Sequence, residues 1–206
     1  GRIAAWLIAK GVGPGDVVTL QFPTWAEFCI AYVAVLKVGG VVHPVPRNYN
    51  DVDLEYAMNL VGTRAFISPT FSHNTDYEAQ ILSVRGAVPT LAAIAVLDKQ
   101  APSHSDLPTF DDIYRRFEPV LEPVAVSADS VACILPTSGT TGKPKQSMLT
   151  HNNILFSERA FTGELGRTEA DVMFMPSPLN HATGFFHGLI SPLLLGGRAV
   201  LQQDFR

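Results

Sequence analysis

Nine consecutive residues, Thr137-Ser138-Gly139-Thr140-Thr141-Gly142-Lys143-Pro144-Lys145, carry four hydroxyls, two glycines and two lysines. No acidic or large apolar side chain interrupts them. This is the composition of a phosphate cradle. Glycines let successive backbone N–H groups point into one concavity, hydroxyls add donors, and lysines supply point charges for anionic oxygens. The run is not a Walker A loop, which needs Gly five positions before its Gly-Lys pair and Ser or Thr after the Lys. Here Thr137 stands five before Gly142, and Pro144 follows Lys143. The same composition also suits a solvated hairpin loop of turn formers, so the order of the residues has to decide.

Other chemistry is sparse. His43, His73, His104, His151 and His187 are scattered and read as ordinary core or surface residues. His181 and His187 are six apart, not the i, i+4 pair of a zinc helix, and no metal-ligand cluster is legible. A Gly-x-Ser-x-Gly nucleophile elbow is absent, which argues against an acyl hydrolase. Cys29 and Cys133 are too few and too far apart for a disulfide framework; free thiols in a reducing, cytoplasmic setting are expected. The net charge of −4 comes with no basic run longer than Arg115-Arg116, so no nucleic-acid footprint is visible. No apolar run approaches the ~18–20 residues of a membrane span. The oligomeric state is not legible.

The elements that must hold the loop follow a β/α rhythm. Strands are expected over 16–22, 41–45, 64–68, 91–97, 130–136, 147–149, 171–175 and 198–202. Helices are expected over 25–37, 75–85, 110–117, 151–162 and 181–195, and one more begins at an Asn50 cap and stops at Gly62. Phe28, Ala31, Tyr32, Val35 and Leu36 share one face of the 25–37 helix; Leu54, Ala57, Met58 and Val61 do the same in the next. Helical segments between strands predict an α/β fold of layered subdomains with mainly parallel sheets covered on both faces. Residues 98–128, with four prolines and little periodicity, read as a surface excursion. The expected division is a first α/β subdomain over 1–128 and, over 129–206, the loop region with the start of a second. Gly1 runs straight into Arg2–Lys10, which reads as the second half of an amphipathic helix, so a piece of a longer protein is expected.

In order as well as composition, Thr137 to Lys145 resembles the phosphate-binding signature of adenylate-forming enzymes, the group of acyl-CoA synthetases, luciferases and non-ribosomal-peptide adenylation domains. Gly11 to Val18, Glu27-Phe28 and Ala34 to Gly40 look like that group's early core region. Met148-Leu149-Thr150-His151-Asn152-Asn153-Ile154 continues the loop in the family manner, and Pro176 to Phe185 is similar to its next motif. Together with Ser157-Glu158-Arg159-Ala160, these stretches are most similar to short- and medium-chain fatty-acyl-CoA synthetases. One departure stands out: Gln146 and Ser147 occupy positions where the family has Gly and then Val or Ala.

The resemblance implies a piece of the large N-terminal domain, with the small C-terminal domain absent. It implies an acid–thiol ligase that joins a carboxylic acid to AMP from ATP and passes the acyl group to coenzyme A. Thr137, Ser138, Gly139, Thr140, Thr141, Gly142, Lys143 and Lys145 would hold the ATP phosphates, with Lys145 and His181 catalytic. His181, Gly184, Phe185, Phe186 and Gly188 would wall the acyl pocket, although the same stripe suits helix packing equally well. The Mg²⁺ ligands, the ribose-binding Asp and the second-domain lysine are expected outside this chain, which by itself should be inactive or nearly so. A non-catalytic nucleotide-binding module, and an aryl- or carnitine-type CoA ligase, are the alternatives.

Overall fold

The computed structural model describes residues 1–137 and 145–203. Helix α1 (Arg2–Ala9) leads to β1 (Val17–Gln21), α2 (Ala26–Lys37) and β2 (Val41–Val45). Helix α3 (Asp51–Val61) and β3 (Thr63–Pro69) follow, then a small hairpin of β4 (Phe71–Ser72) and β5 (Thr75–Asp76). Next come α4 (Tyr77–Val84), a 3₁₀ turn at Arg85–Ala87, β6 (Ala93–Leu97) and α5 (Phe110–Arg116). Strands β7 (Val131–Thr137) and β8 (Lys145–Thr150) flank the loop, and α6 (His151–Glu164) and β9 (Val172–Met175) succeed them. A π-helical segment (Gly184–Ile190), α7 (Ser191–Leu195) and β10 (Arg198–Leu201) complete the described chain.

Six strands form one sheet in the order β6-β3-β1-β2-β7-β8, parallel except for the antiparallel pair β7–β8. Every residue of β1 and β2 is buried, as a strand covered on both faces requires. One face carries Val18, Leu20, Val42 and Cys133 against Trp6, Leu7, Phe28 and Tyr32 of α1 and α2. The other carries Val45 and Phe66 against Leu54, Ala57 and Met58 of α3 and Ile81 and Val84 of α4. The α/β class with a mainly parallel sheet is therefore what the structure has. The sheet runs through β7 and β8 to Thr150 and so takes strands from both sides of position 128/129. The main core likewise takes Leu179, Phe185, Leu189 and Ile190 from the far side of it.

Caps lie where the side-chain chemistry puts them. Asn50 accepts from the backbone of Asp53 at 2.9 Å, and α3 ends at Gly62 with φ of 65°. Thr150 and Asn153 exchange hydrogen bonds of 3.1 Å as a capping box that starts α6 directly after β8. The helix expected from Thr75 starts later because Thr75-Asp76 is taken up by the hairpin, and Asp76 then caps α4. The 98–128 excursion is pinned rather than loose over its first half. Buried Glu78 accepts from Ser103 Oγ at 2.7 Å, from Ser105 Oγ and from the His104 backbone, and Phe110 and Ile113 of α5 enter the core.

The helix expected over 181–195 departs most from regularity. Its middle, Gly184–Ile190, is π-helical before α7 begins. Pro192 has no N–H to offer the Gly188 carbonyl, and in a regular α-helix its ring would press on that oxygen; a wider turn relieves this. Gly184 and Gly188 allow the segment to sit close. A Cβ on Gly184 would fall 2.1 Å from the Pro178 carbonyl oxygen, and one on Gly188 2.5 Å from Met175 Cγ.

Candidate active site

A cleft of about 780 Å³ opens at the carboxyl ends of β2 and β7, the edge at which open parallel sheets bind ligands. The β2–α3 connection contributes Pro46, Asn48 and Tyr49, with Asp53 from the first turn of α3. The hairpin contributes Leu135, Pro136, Thr137, Ser147 and Leu149, and the segment before the π-helix adds Asn180, His181 and Ala182. Phe186 closes the apolar side.

Of the residues expected at the loop, Ser138, Gly139, Thr140, Thr141, Gly142 and Lys143 lie outside the described residues. The two that flank them are paired: Thr137 stands opposite Lys145 in the β7–β8 register. Thr137 Oγ1 donates to the Lys145 carbonyl at 3.2 Å, closing the base of the hairpin. A hydroxyl has one proton, so Thr137 must release that carbonyl before it can donate to a phosphate oxygen. Lys145 is exposed.

His181 is exposed and lines the cleft together with Thr137 and Phe186. Its backbone N–H donates to the Pro178 carbonyl at 3.1 Å, and its own carbonyl accepts from Phe185 N at 2.8 Å. That turn presents the imidazole at the start of the helix. Gly184, Phe185 and Gly188 stand behind the cleft wall instead of on it. Phe185 is fully buried, its ring centroid 5.3 Å from Tyr32 and 5.1 Å from Phe186. Phe186 alone of the expected aromatic pair reaches the cleft, while Phe185 packs in the core.

Gln146, the departure from the family pattern, turns its amide inward. Both amide heteroatoms are buried without a hydrogen-bond partner among the described residues, as is Nε2 of fully buried His43. Gln146 lies close enough to oppose the drop in His43 basicity, yet no hydrogen bond of good geometry closes between them. On the other side of the ring, Nδ1 lies 3.0 Å from Thr19 Oγ1, which in turn is 2.6 Å from Thr63 Oγ1. Burial pushes the His43 pKa down to about 4. This is a satisfied structural histidine on one side and an unsatisfied one on the other. Its charge penalty has a sign that can be checked. An unfolded imidazole titrates near 6.5, so the contribution is complete above that pH and is lost as pH falls towards 4. Between pH 7.5 and pH 5 the wild type is expected to lose about 2 kcal/mol from this group. Urea unfolding of wild type and His43→Gln at both pH values measures it; an equal loss in both would remove His43 as the source.

The thiols behave as the apolar stretches around them require. Cys29 and Cys133 are free, and burial raises both pKa values, Cys29 to about 11. Neither is a nucleophile at neutral pH. Among the described residues no group of three or more His, Cys, Asp or Glu is placed to hold a metal ion, and no helix is long and apolar enough to cross a membrane.

Two contributions were not foreseen. The β2–α3 connection carries the polar wall of the cleft, and its position at a strand's carboxyl end was the signal for it. Glu158 is fully buried. It falls four residues after Ile154 and four before Thr162 on the inward face of α6, a spacing that marks a charge on a buried stripe.

A family model described as AMP-binding enzyme matches residues 1–206. The medium-chain fatty-acid–CoA ligase of Escherichia coli (strain K12) is 40% identical over 203 residues, covering 98% of this chain and 36% of that protein. The oxalate–CoA ligase of Arabidopsis thaliana is 28% identical over 204 residues, covering 97% of this chain and 38% of that one. Among solved structures, an anthranilate CoA ligase in complex with anthranoyl-AMP superposes with a TM-score of 0.89 at 24% identity. That match covers 99% of this chain and 38% of the other, and shows the fold. The chain thus spans a little over a third of the length of these two relatives. With the loop signature between β7 and β8 in the sequence, a cleft lined by Thr137 and the family model matched from end to end, the chain belongs to the AMP-binding enzyme family.

Proposed function

We propose that this chain is the phosphate-loop part of an AMP-forming carboxylic acid–CoA ligase whose acid is a medium-chain fatty acid. It would sit in the N-terminal domain of a longer, cytoplasmic protein, with β9, β10 and the π-helix beginning a second α/β layer. The observation that carries the reading is the shared cleft of Thr137, His181 and Phe186, whose lining joins polar Asn48, Asp53 and Asn180 to apolar Leu135, Leu149 and Phe186. In the first step a carboxylate oxygen bonds to the α-phosphorus of ATP and the bond to pyrophosphate breaks. The thiolate of coenzyme A then attacks the acyl carbon and AMP leaves. Pyrophosphate takes up negative charge as it departs, so donors and cations at the loop favour the transition state over the ground state. Lys145 and the backbone and hydroxyl groups of 138–143 are the residues for that task. His181 would hold the reacting carboxylate, and Phe186 would exclude water from the aliphatic tail. Mg²⁺ would neutralise phosphate charge when bound; among the described residues no cluster is placed to hold it.

The test is carboxylate-dependent exchange of labelled pyrophosphate into ATP by the full-length protein, across a panel of saturated acids of increasing length and of aryl acids. Greatest exchange with acids of medium length is the expected result. A preference for aryl acids would overturn the fatty-acid assignment. Nucleotide binding without exchange on any acid would point to a non-catalytic module.

A further inference from the structure

The buried carboxylate of Glu158 has no part in the chemistry just described, yet its hydrogen bonds run to the helix that walls the cleft. Oε2 accepts from Ser191 Oγ and lies 3.3 Å from His187 Nδ1. Oε1 is buried with no partner among the described residues. His187 belongs to the π-helical segment and Ser191 is the first residue after it. The His187 ring also stacks on Phe161 of α6, with centroids 3.9 Å apart and planes inclined by 22°. Phe186 therefore sits between two pinned neighbours: Phe185, locked against Tyr32 in the core, and His187, held by α6.

A buried carboxylate with one oxygen unsatisfied is a poor source of stability, and apolar replacement of such groups is often neutral or stabilising. What it supplies is direction, because its partners bracket the irregular turn. A π-helical turn is rare and persists where surrounding contacts hold it, commonly beside functional sites. We propose that Glu158 is a positioning residue for the acyl side of the cleft: by holding His187 and Ser191 it keeps the Gly184–Ile190 turn wide, and so sets how far Phe186 projects into the space for the acid. This rests on the reading of the cleft as the acid site.

The experiment compares Glu158→Ala, Glu158→Gln and Ser191→Ala with wild type in the full-length protein, measuring KM separately for acid and for ATP over the acid panel. Glu158→Ala is expected to raise the acid KM about tenfold and shift the preferred chain length, since small changes in an apolar pocket are worth that much. KM for ATP should stay within about twofold. Glu158→Gln, which keeps an acceptor for Ser191, should recover most of the loss. If Glu158→Ala does not fold, Ser191→Ala should move acid KM in the same direction. Unchanged acid KM and chain-length profile, or equal rises in both KM values, would overturn the proposal. Crystal structures of wild type and the Ser191→Ala and Glu158→Ala variants test the clamp independently of any activity. A narrowed turn with Phe186 displaced is expected, and an unchanged turn refutes the clamp even if the protein activates no acid at all.

Discussion

Lys145→Ala is expected to lower carboxylate-dependent pyrophosphate exchange by about a hundredfold in the full-length protein, the usual cost of deleting one group aimed at developing charge. The position makes the comparison clean. Lys145 is the first residue of β8, and what closes the hairpin is its backbone carbonyl, which accepts from Thr137 Oγ1. Truncation leaves that carbonyl in place. Because the side chain is exposed, stability should change by no more than about 0.5 kcal/mol. A loss of exchange with an unchanged melting temperature assigns the lysine to the chemistry. Unchanged exchange would remove it from the phosphate site.

Phe185→Ala is expected to cost about 3–5 kcal/mol, the range for deleting a fully buried aromatic ring. The ring has no exposed surface, contacts Tyr32 and Phe186 edge-on, and links the 184–195 helix to the core of the first sheet. For a chain of this length such a loss lowers the melting temperature by on the order of 10 °C. Phe186→Ala should destabilise much less, since its ring is only partly buried, while changing which acids are accepted. Calorimetry of the two variants separates core from pocket. A Phe185→Ala protein that melts with the wild type would contradict the burial.

The separation matters because the two residues are indistinguishable in the sequence. Both are phenylalanines in an apolar stripe next to a motif histidine, and periodicity allowed either to face a ligand or the core. The π-turn decides between them, and it depends on Pro192, on two glycines pressed against Pro178 and Met175, and on Glu158 reaching across from α6. Those are contacts between segments remote in sequence, which no local pattern encodes. Gln146 teaches the same point. Its identity marked it as unusual, but that its amide would be buried towards His43 followed only from the order in which β2, β7 and β8 lie side by side.

What the sequence by itself determined is everything carried by local chemistry. The order of hydroxyls, glycines and lysines in 137–145 identified the family. Asn50, Thr150 and Gly62 set helix ends through hydrogen bonds spanning a few residues, and the alternation of strands with helical segments announced a mainly parallel sheet covered on both faces. The tertiary structure alone decided which of the expected site residues share a cleft. It brought Thr137 and His181, forty-four positions apart, to one rim, and it placed Phe186 there while withdrawing Phe185, Gly184 and Gly188 behind the wall. The physical reason is that a cleft at the ends of parallel strands is made by crossover connections, and its lining is fixed by how whole layers pack rather than by any stretch of chain.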